Sequence, residues 1–285
     1  MSEIIPEDVL IEFDQQNKRI STLAAWNIAR KRANNIYKRA EDALGESDPR
    51  FNSIFWAFHV WTLLKEIAHG YCWMRAWAKH YKQNVGPQDG LSHNSPHASY
   101  YASDCMIRIH SCRDKLSIMA LAYYLPLNPE SEKDVHGYWQ NKKKLKRIER
   151  DMSIAGQKDF LPYLETLKGR HFHRVETYRN RKIHRREPII EMYGAAPHHD
   201  WPYVFPLEDI EDCNRRMLDE YPDPGSRARI IERCKYNGIL YETRKVKDVV
   251  WDYDEIDRVI ESCFLKLLEA AAGCFHVLLW NYLWE

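Results

Sequence analysis

Glycine is scarce in this chain, 11 in 285 residues, which argues against a fold built on tight hairpins and open loops. There is no Gly-rich phosphate loop, no Gly-x-Ser-x-Gly elbow and no His-Glu-x-x-His pair, so the usual signatures of nucleotide cradles, serine hydrolases and zinc proteases are missing. No carboxylate cluster has a convincing catalytic spacing, and no cofactor is expected. The seven cysteines (Cys72, Cys105, Cys112, Cys213, Cys234, Cys263, Cys274) are odd in number and form no Cys-x-x-Cys pair. They read as reduced packing residues of a cytoplasmic protein, not as a disulfide frame or a zinc site. Charge of either sign is not in excess, the net value being +1, so any nucleic-acid site must be a local patch. The longest uncharged runs, "FNSIFWAFHVWTLL" and "AAAGCFHVLLWNYLW", stop short of the roughly 20 residues that cross a bilayer. Buried helices and no membrane role are the expectation.

What is present is helical periodicity. Trp56, Val60, Leu63, Ile67, Tyr71, Met74 and Ala78 recur at steps of three and four, with Ile54, Phe55, Phe58 and Trp61 on a second apolar face. Cys105, Ile109, Cys112, Leu116, Met119 and Tyr123 repeat the pattern up to Pro126. A third stripe, starting near Asp159, runs through Phe160, Leu164, Leu167, His171, Val175 and Tyr178 to Pro188. The last runs from Ile256 through Ile260, Cys263, Leu267, Ala271 and Cys274 to Leu278. An N-terminal helix is expected from Ser21, a plausible N-cap. Between Gly194 and Ser226 five prolines and surplus acid suggest an irregular excursion with a short helix near Leu207–Tyr221, and another short helix ending at Asn237-Gly238. The predicted architecture is an all-α bundle of about five long helices in a single domain over 1–285, with a core at about 50–188 plus a C-terminal helix at 254–284. A Pro-rich, acidic peripheral excursion at 194–250 completes it.

Against this neutral background one segment stands out, "HFHRVETYRNRKIHRREP", His171 to Pro188. From Lys168 to Arg186 there are eight Lys or Arg and a single acid, Glu176. Such a density repels itself unless an anion relieves it, and its interleaved aromatic and histidine side chains fit RNA or DNA. A solvated helix face, or neutralisation by the acidic excursion, is the competing account. An Arg followed by a His within a few residues is common, as Arg75 and His80 show. Arg179, Asn180 and His184 are more specific, because Asn follows the Arg directly and precedes the His by four positions.

The form Arg-Asn-x-x-x-His at the end of a long helix in an all-α chain resembles the HEPN superfamily. The helix "IRIHSCRDKLSIMALAYY", with its Asp-Lys-Leu step, is similar to one that pairs with the Arg-Asn helix in some HEPN-like proteins. The resemblance covers roughly Arg50 to Pro188. It implies a metal-independent endoribonuclease, often a toxin or defence effector with an antitoxin or regulatory partner, whose active site forms where two subunits of a homodimer meet. It also allows a member that has lost activity and serves as an interaction module.

RNA brings its own nucleophile, the 2′-hydroxyl, so cleavage needs a proton acceptor, a cation on the phosphate and a proton donor for the leaving oxygen. His184 is suited to proton transfer, since imidazole titrates at about 6.5, and its neighbouring arginines favour the neutral form. The planar, permanently charged fork of Arg179 is suited to phosphate. Asn180 would orient one of the two, and Arg174, Arg181, Arg185 and Arg186 would hold the RNA backbone. On a regular helix Arg179 and His184 lie about 140° apart, so they do not share a face. Either the helix unwinds before His184 or a second copy completes the site. The bland account has Arg179 bracing the bundle, Asn180 cross-linking helices and His184 capping the helix end. Asp114 reads as an inter-helix salt bridge, or as the group that orients Arg179 or His184. His171 and His173 alternate on a helix and do not chelate one ion, and His198, His199 and Asp200 are a weak metal candidate; no metal is expected. Lys142 to Arg147 read as a solvated face.

Overall fold

The computed structural model describes residues 5–43, 51–84, 95–124, 160–184, 189–192, 200–206, 241–247 and 250–282. Among the described residues there are seven helices: α1 Glu7–Thr22, α2 Ala24–Ala43, α3 Phe51–Asn84, α4 Pro96–Tyr124, α5 Leu161–Glu165, α6 Arg170–His184 and α7 Tyr253–Tyr282. Short strands β1 Ile189–Glu191 and β4 Val250–Asp252 pair with each other, as do β2 Asp200–Pro206 and β3 Tyr241–Lys247. The fold is all-α. The chain divides into two compact units, residues 1–195 with 251–285, and residues 196–250.

In the larger unit α3 and α4 form the central hairpin. The Ser53 hydroxyl donates to the Met119 carbonyl at 2.9 Å, and the Cys112 and Cys105 thiols approach the carbonyls of Val60 and Ile67 at 4.0 and 3.7 Å. As one number rises the other falls, so the two helices are antiparallel. The stripe expected in α7 is fully inward: Ile256, Ile260, Cys263, Leu267, Ala271, Cys274 and Leu278 are all buried. By length and composition α7 would also cross a membrane, but 72% of its most apolar window is buried inside the protein. In α3 the main stripe is buried except at Leu63, whereas Phe55 is 49% exposed and is not covered. The five described cysteines are buried thiols, and burial pushes Cys72 and Cys263 up to about 12.

Three boundaries differ from the sequence reading. The helix expected as one piece from Asp159 to Pro188 is two, because Gly169 adopts φ +142°, a conformation open chiefly to glycine. The helix expected from Ser21 begins at Ala24 instead, and an unexpected helix, α1, precedes it, with Leu23 extended between them. Ser21 therefore sits in the last turn of α1, where its hydroxyl donates to the Lys18 carbonyl and caps nothing. The smaller unit, expected to be irregular, contains the antiparallel β2–β3 pair, with Asp200 opposite Lys247 and Pro206 opposite Tyr241. Pro202 and Pro206 read as loop signals, yet a two-stranded ladder has only edge strands, where a missing N–H is tolerated. The helices expected near Leu207–Tyr221 and before Asn237-Gly238 lie outside the described residues, as does Lys142 to Arg147.

Gly273 has a packing reason to be glycine. A Cβ there would lie 2.2 Å from Cδ1 and Cε1 of Tyr163, so the α5 ring rests directly on the α7 backbone. Gly273→Ala is expected to destabilise the protein by roughly 1–3 kcal/mol through overpacking, despite the ~1 kcal/mol that alanine gains in a helix interior. Urea unfolding of Gly273→Ala and of Gly273→Ala/Tyr163→Ala checks this; a single variant as stable as wild type removes the packing account.

Candidate functional site

The motif helix α6 meets α4 through one stripe. Phe172, Val175, Glu176 and Arg179 recur at steps of three, one and three, so two charged groups share a face with two buried apolar anchors. On α4, His110, Arg113, Asp114 and Ser117 form the matching stripe, and all four are buried. Helical periodicity thus brings charge to a buried seam, and the charges must satisfy each other there.

Arg113, 4% exposed, meets Glu176 across the seam with Nη2 to Oε2 at 3.7 Å. Its guanidinium also lies 5.7 Å from the centre of the Phe172 ring. Asp114 Oδ2 stands 3.3 Å from Nδ1 of His110, one turn back on the same helix. Burial pushes the Asp114 carboxyl up to about 6; the Arg113 and Arg179 charges oppose that shift and Glu176 adds to it. Burial likewise lowers Arg113, with Asp114 and Glu176 pulling it back.

Arg179 is half-buried at the edge of this cluster. Its Nη1 donates to the side-chain oxygen of Asn180 at 3.1 Å. Among the described residues no carboxylate comes within 4.0 Å of its guanidinium. The backbone of α6 stays helical to His184, so the helix does not unwind before it. The side chains of Arg181 and His184, and all of Arg185, Arg186 and Pro188, lie outside the described residues. The inter-helix salt bridge read onto Asp114 is made by its neighbour Arg113 instead, because Asp114 faces His110.

Elsewhere in the basic segment the charge is partly spent inside the protein. Arg174 is salt-bridged to Glu255 at the start of α7 and its guanidinium lies 5.7 Å from the Trp251 ring centre. His171 is lowered by burial and then by Lys266, Arg174 and Arg170. Arg75 grips Asp257 through two bonds of 2.9 and 2.7 Å, and His80 meets Asp8 at 2.6 Å, so both tie α3 to its neighbours. Among the described residues no group of three His, Cys, Asp or Glu is placed to hold a metal, and His198 and His199 lie outside them.

The pairing of Arg113 with Glu176 and the place of His110 were not read from the sequence. The signal was there: Glu176 follows Phe172 by four, and Arg113 and Asp114 interrupt an otherwise apolar stripe. What defines the molecule is an all-α bundle whose Arg-Asn pair sits on a buried ionic seam. No protein-family model, curated protein or solved structure matches the chain.

Proposed function

We propose that this protein is a HEPN-like, metal-independent endoribonuclease, a toxin or defence effector in class, that cuts RNA as a homodimer in the cytoplasm. The observation that carries the reading is the state of Arg179. Its fork is oriented by Asn180 and partly exposed, and among the described residues no carboxylate lies within 4.0 Å of it. A guanidinium so placed keeps its charge for an anion such as a scissile phosphate. With the α6 backbone helical throughout, positions 179 and 184 of one copy are about 140° apart around the helix axis. Two copies of the motif about a two-fold axis would bring the Arg of each toward the His of the other.

In the reaction His184 takes the 2′-hydroxyl proton as the 2′-oxygen bonds to phosphorus. The phosphorus–5′-oxygen bond breaks, a 2′,3′-cyclic phosphate forms, and the leaving oxygen takes a proton from the second histidine. Arg179 balances charge on the phosphate oxygens. Arg181, Arg185 and Arg186 hold the flanking backbone; Arg174, salt-bridged to Glu255, contributes least. A non-catalytic interaction module is the second reading, favoured by the internal pairing of Arg174 with Glu255 and of Arg113 with Glu176. The test is pure protein with total RNA in EDTA beside His184→Ala. Cyclic-phosphate ends from wild type alone support the nuclease. Intact RNA, or cleavage undiminished in His184→Ala, leaves the interaction module.

A further inference from the structure

A cavity of about 570 Å³ opens between the outward faces of α3 and α4. Its floor is Gly70, where a Cβ would come within 3.0 Å of the Cys105 thiol and 3.6 Å of Asp104 Oδ2. Any side chain there would crowd the floor, so the missing one keeps the helices close and the groove open.

The walls are aromatic and held in place. Tyr101, in the wall, stacks on Trp73 behind it, with ring centroids 6.1 Å apart and planes at 19°, and Trp73 in turn stacks on Phe13 of α1 at 4.3 Å. Tyr100 stands at 79° to Tyr101, so the two rings make a corner, and Tyr100 is 65% exposed. The Trp73 N–H donates to Nε2 of His69 at 3.0 Å, which leaves the proton of the neutral imidazole on Nδ1, available as a donor. The charges in the groove cancel. Arg108 is clamped by Asp104 at 2.7 Å and by Glu66, and Lys65 is the remaining cation.

A nearly charge-neutral groove is not built for phosphate. A preformed aromatic corner suits a flat ring, since rigid platforms lose little entropy on stacking. Carboxylate acceptors beside an imidazole N–H donor suit the hydrogen-bonding edge of a heterocycle. From these features we infer that the α3–α4 groove binds an unpaired nucleobase, supplied by an RNA strand engaged at the Arg179 site. This rests on the ribonuclease reading for the source of the base, not for the chemistry of the groove. Arg108 and Asp114 lie on one helix, about 9 Å apart along its axis and about 120° apart around it, so a strand engaged at both sites passes around α4.

The test uses full-length protein and 2′-O-methyl decaadenylate, which has no 2′-hydroxyl and is not cut by this chemistry. Anisotropy of the labelled strand is expected to show binding that Tyr100→Ala weakens roughly tenfold and Tyr100→Phe preserves. An abasic strand of equal length should bind both forms alike. Saturation-transfer NMR with adenosine monophosphate tests the free nucleotide. If the mononucleotide binds through Tyr100 and the strand does not, RNA is overturned as the source. Equal strand binding by wild type and Tyr100→Ala overturns the groove. The two proposals fail separately: Tyr100-dependent binding by a protein that leaves RNA intact keeps the groove and removes the nuclease. Cleavage by a protein whose strand affinity ignores Tyr100 does the reverse.

Discussion

Arg179→Lys is expected to cut RNA about 10²–10³-fold more slowly than wild type, the loss seen when one preorganised donor to a developing oxyanion is removed. Lysine keeps the positive charge, so simple electrostatic attraction survives and RNA affinity should change little. What it removes is the planar fork that donates one N–H to the Asn180 oxygen and presents the others in a fixed direction. An ammonium on a flexible stem neither accepts that orientation nor donates bidentately. The loss should therefore fall on kcat more than on KM. Asn180→Ala should show a smaller loss of the same kind, because the fork remains but is no longer aimed. The thermal midpoint of Arg179→Lys should stay close to wild type, since Arg179 is half-buried and makes no ion pair within 4.0 Å among the described residues. A large drop in midpoint at unchanged specific activity would mark Arg179 as a brace of the bundle.

Asp114→Asn is expected to stabilise the protein at pH 8 and to leave it near wild type at pH 4. Burial raises this carboxyl from 3.8 to about 6, so the folded protein prefers the neutral acid. A group shifted upward contributes stability that is complete below its unfolded value and is lost as pH rises through its folded value. The window is therefore pH 4 to about 6, and the loss across it is about 3 kcal/mol. Asparagine resembles the neutral acid at every pH and should abolish that slope. Two other carboxylates titrate outside the window. Asp8 is held low by its bond from His80; at Glu12 burial pushes upward but the bonds from Lys79 and Gln16 prevail. Their contributions disappear only as pH falls below the ordinary carboxylate range, and they are common to both proteins. Urea unfolding of the pair at pH 4 and pH 8 reads the difference directly. An asparagine variant less stable than wild type at pH 8 would mean that the ionised carboxylate, held by Arg113 and Arg179, is the form the fold prefers.

The long helices were legible because a buried stripe leaves a period of three and four in the residue types. In α4 and α7 the expected inward residues are almost all buried, Tyr123 at the α4 end being half-exposed. Legibility failed where a single residue outweighed the pattern. Gly169 interrupts the α5–α6 stripe by its backbone angle, and a stripe of side chains carries no mark of that angle. Helix α1 goes unread because its buried positions are only Val9, Glu12 and Ile20, one of them an acid. Its place depends on partners far away in the chain: Lys79 for Glu12, Trp73 for Phe13 and Glu261 for Arg19. At the candidate site the residue types and their spacing were visible in Arg179, Asn180 and Asp114, but not which acid met which base.

By itself the sequence determined the class, an all-α bundle, and the one basic helix on which an Arg-Asn-x-x-x-His motif could sit. Both are properties of neighbours within about four positions, which a helix turns into a face. Only the tertiary structure decided that Arg113 answers Glu176 while Asp114 faces His110, that Arg179 leans on Asn180, and that Gly70 opens an aromatic groove. Those outcomes depend on which faces meet and how closely, and hence on the burial that sets the cost of every charge between them.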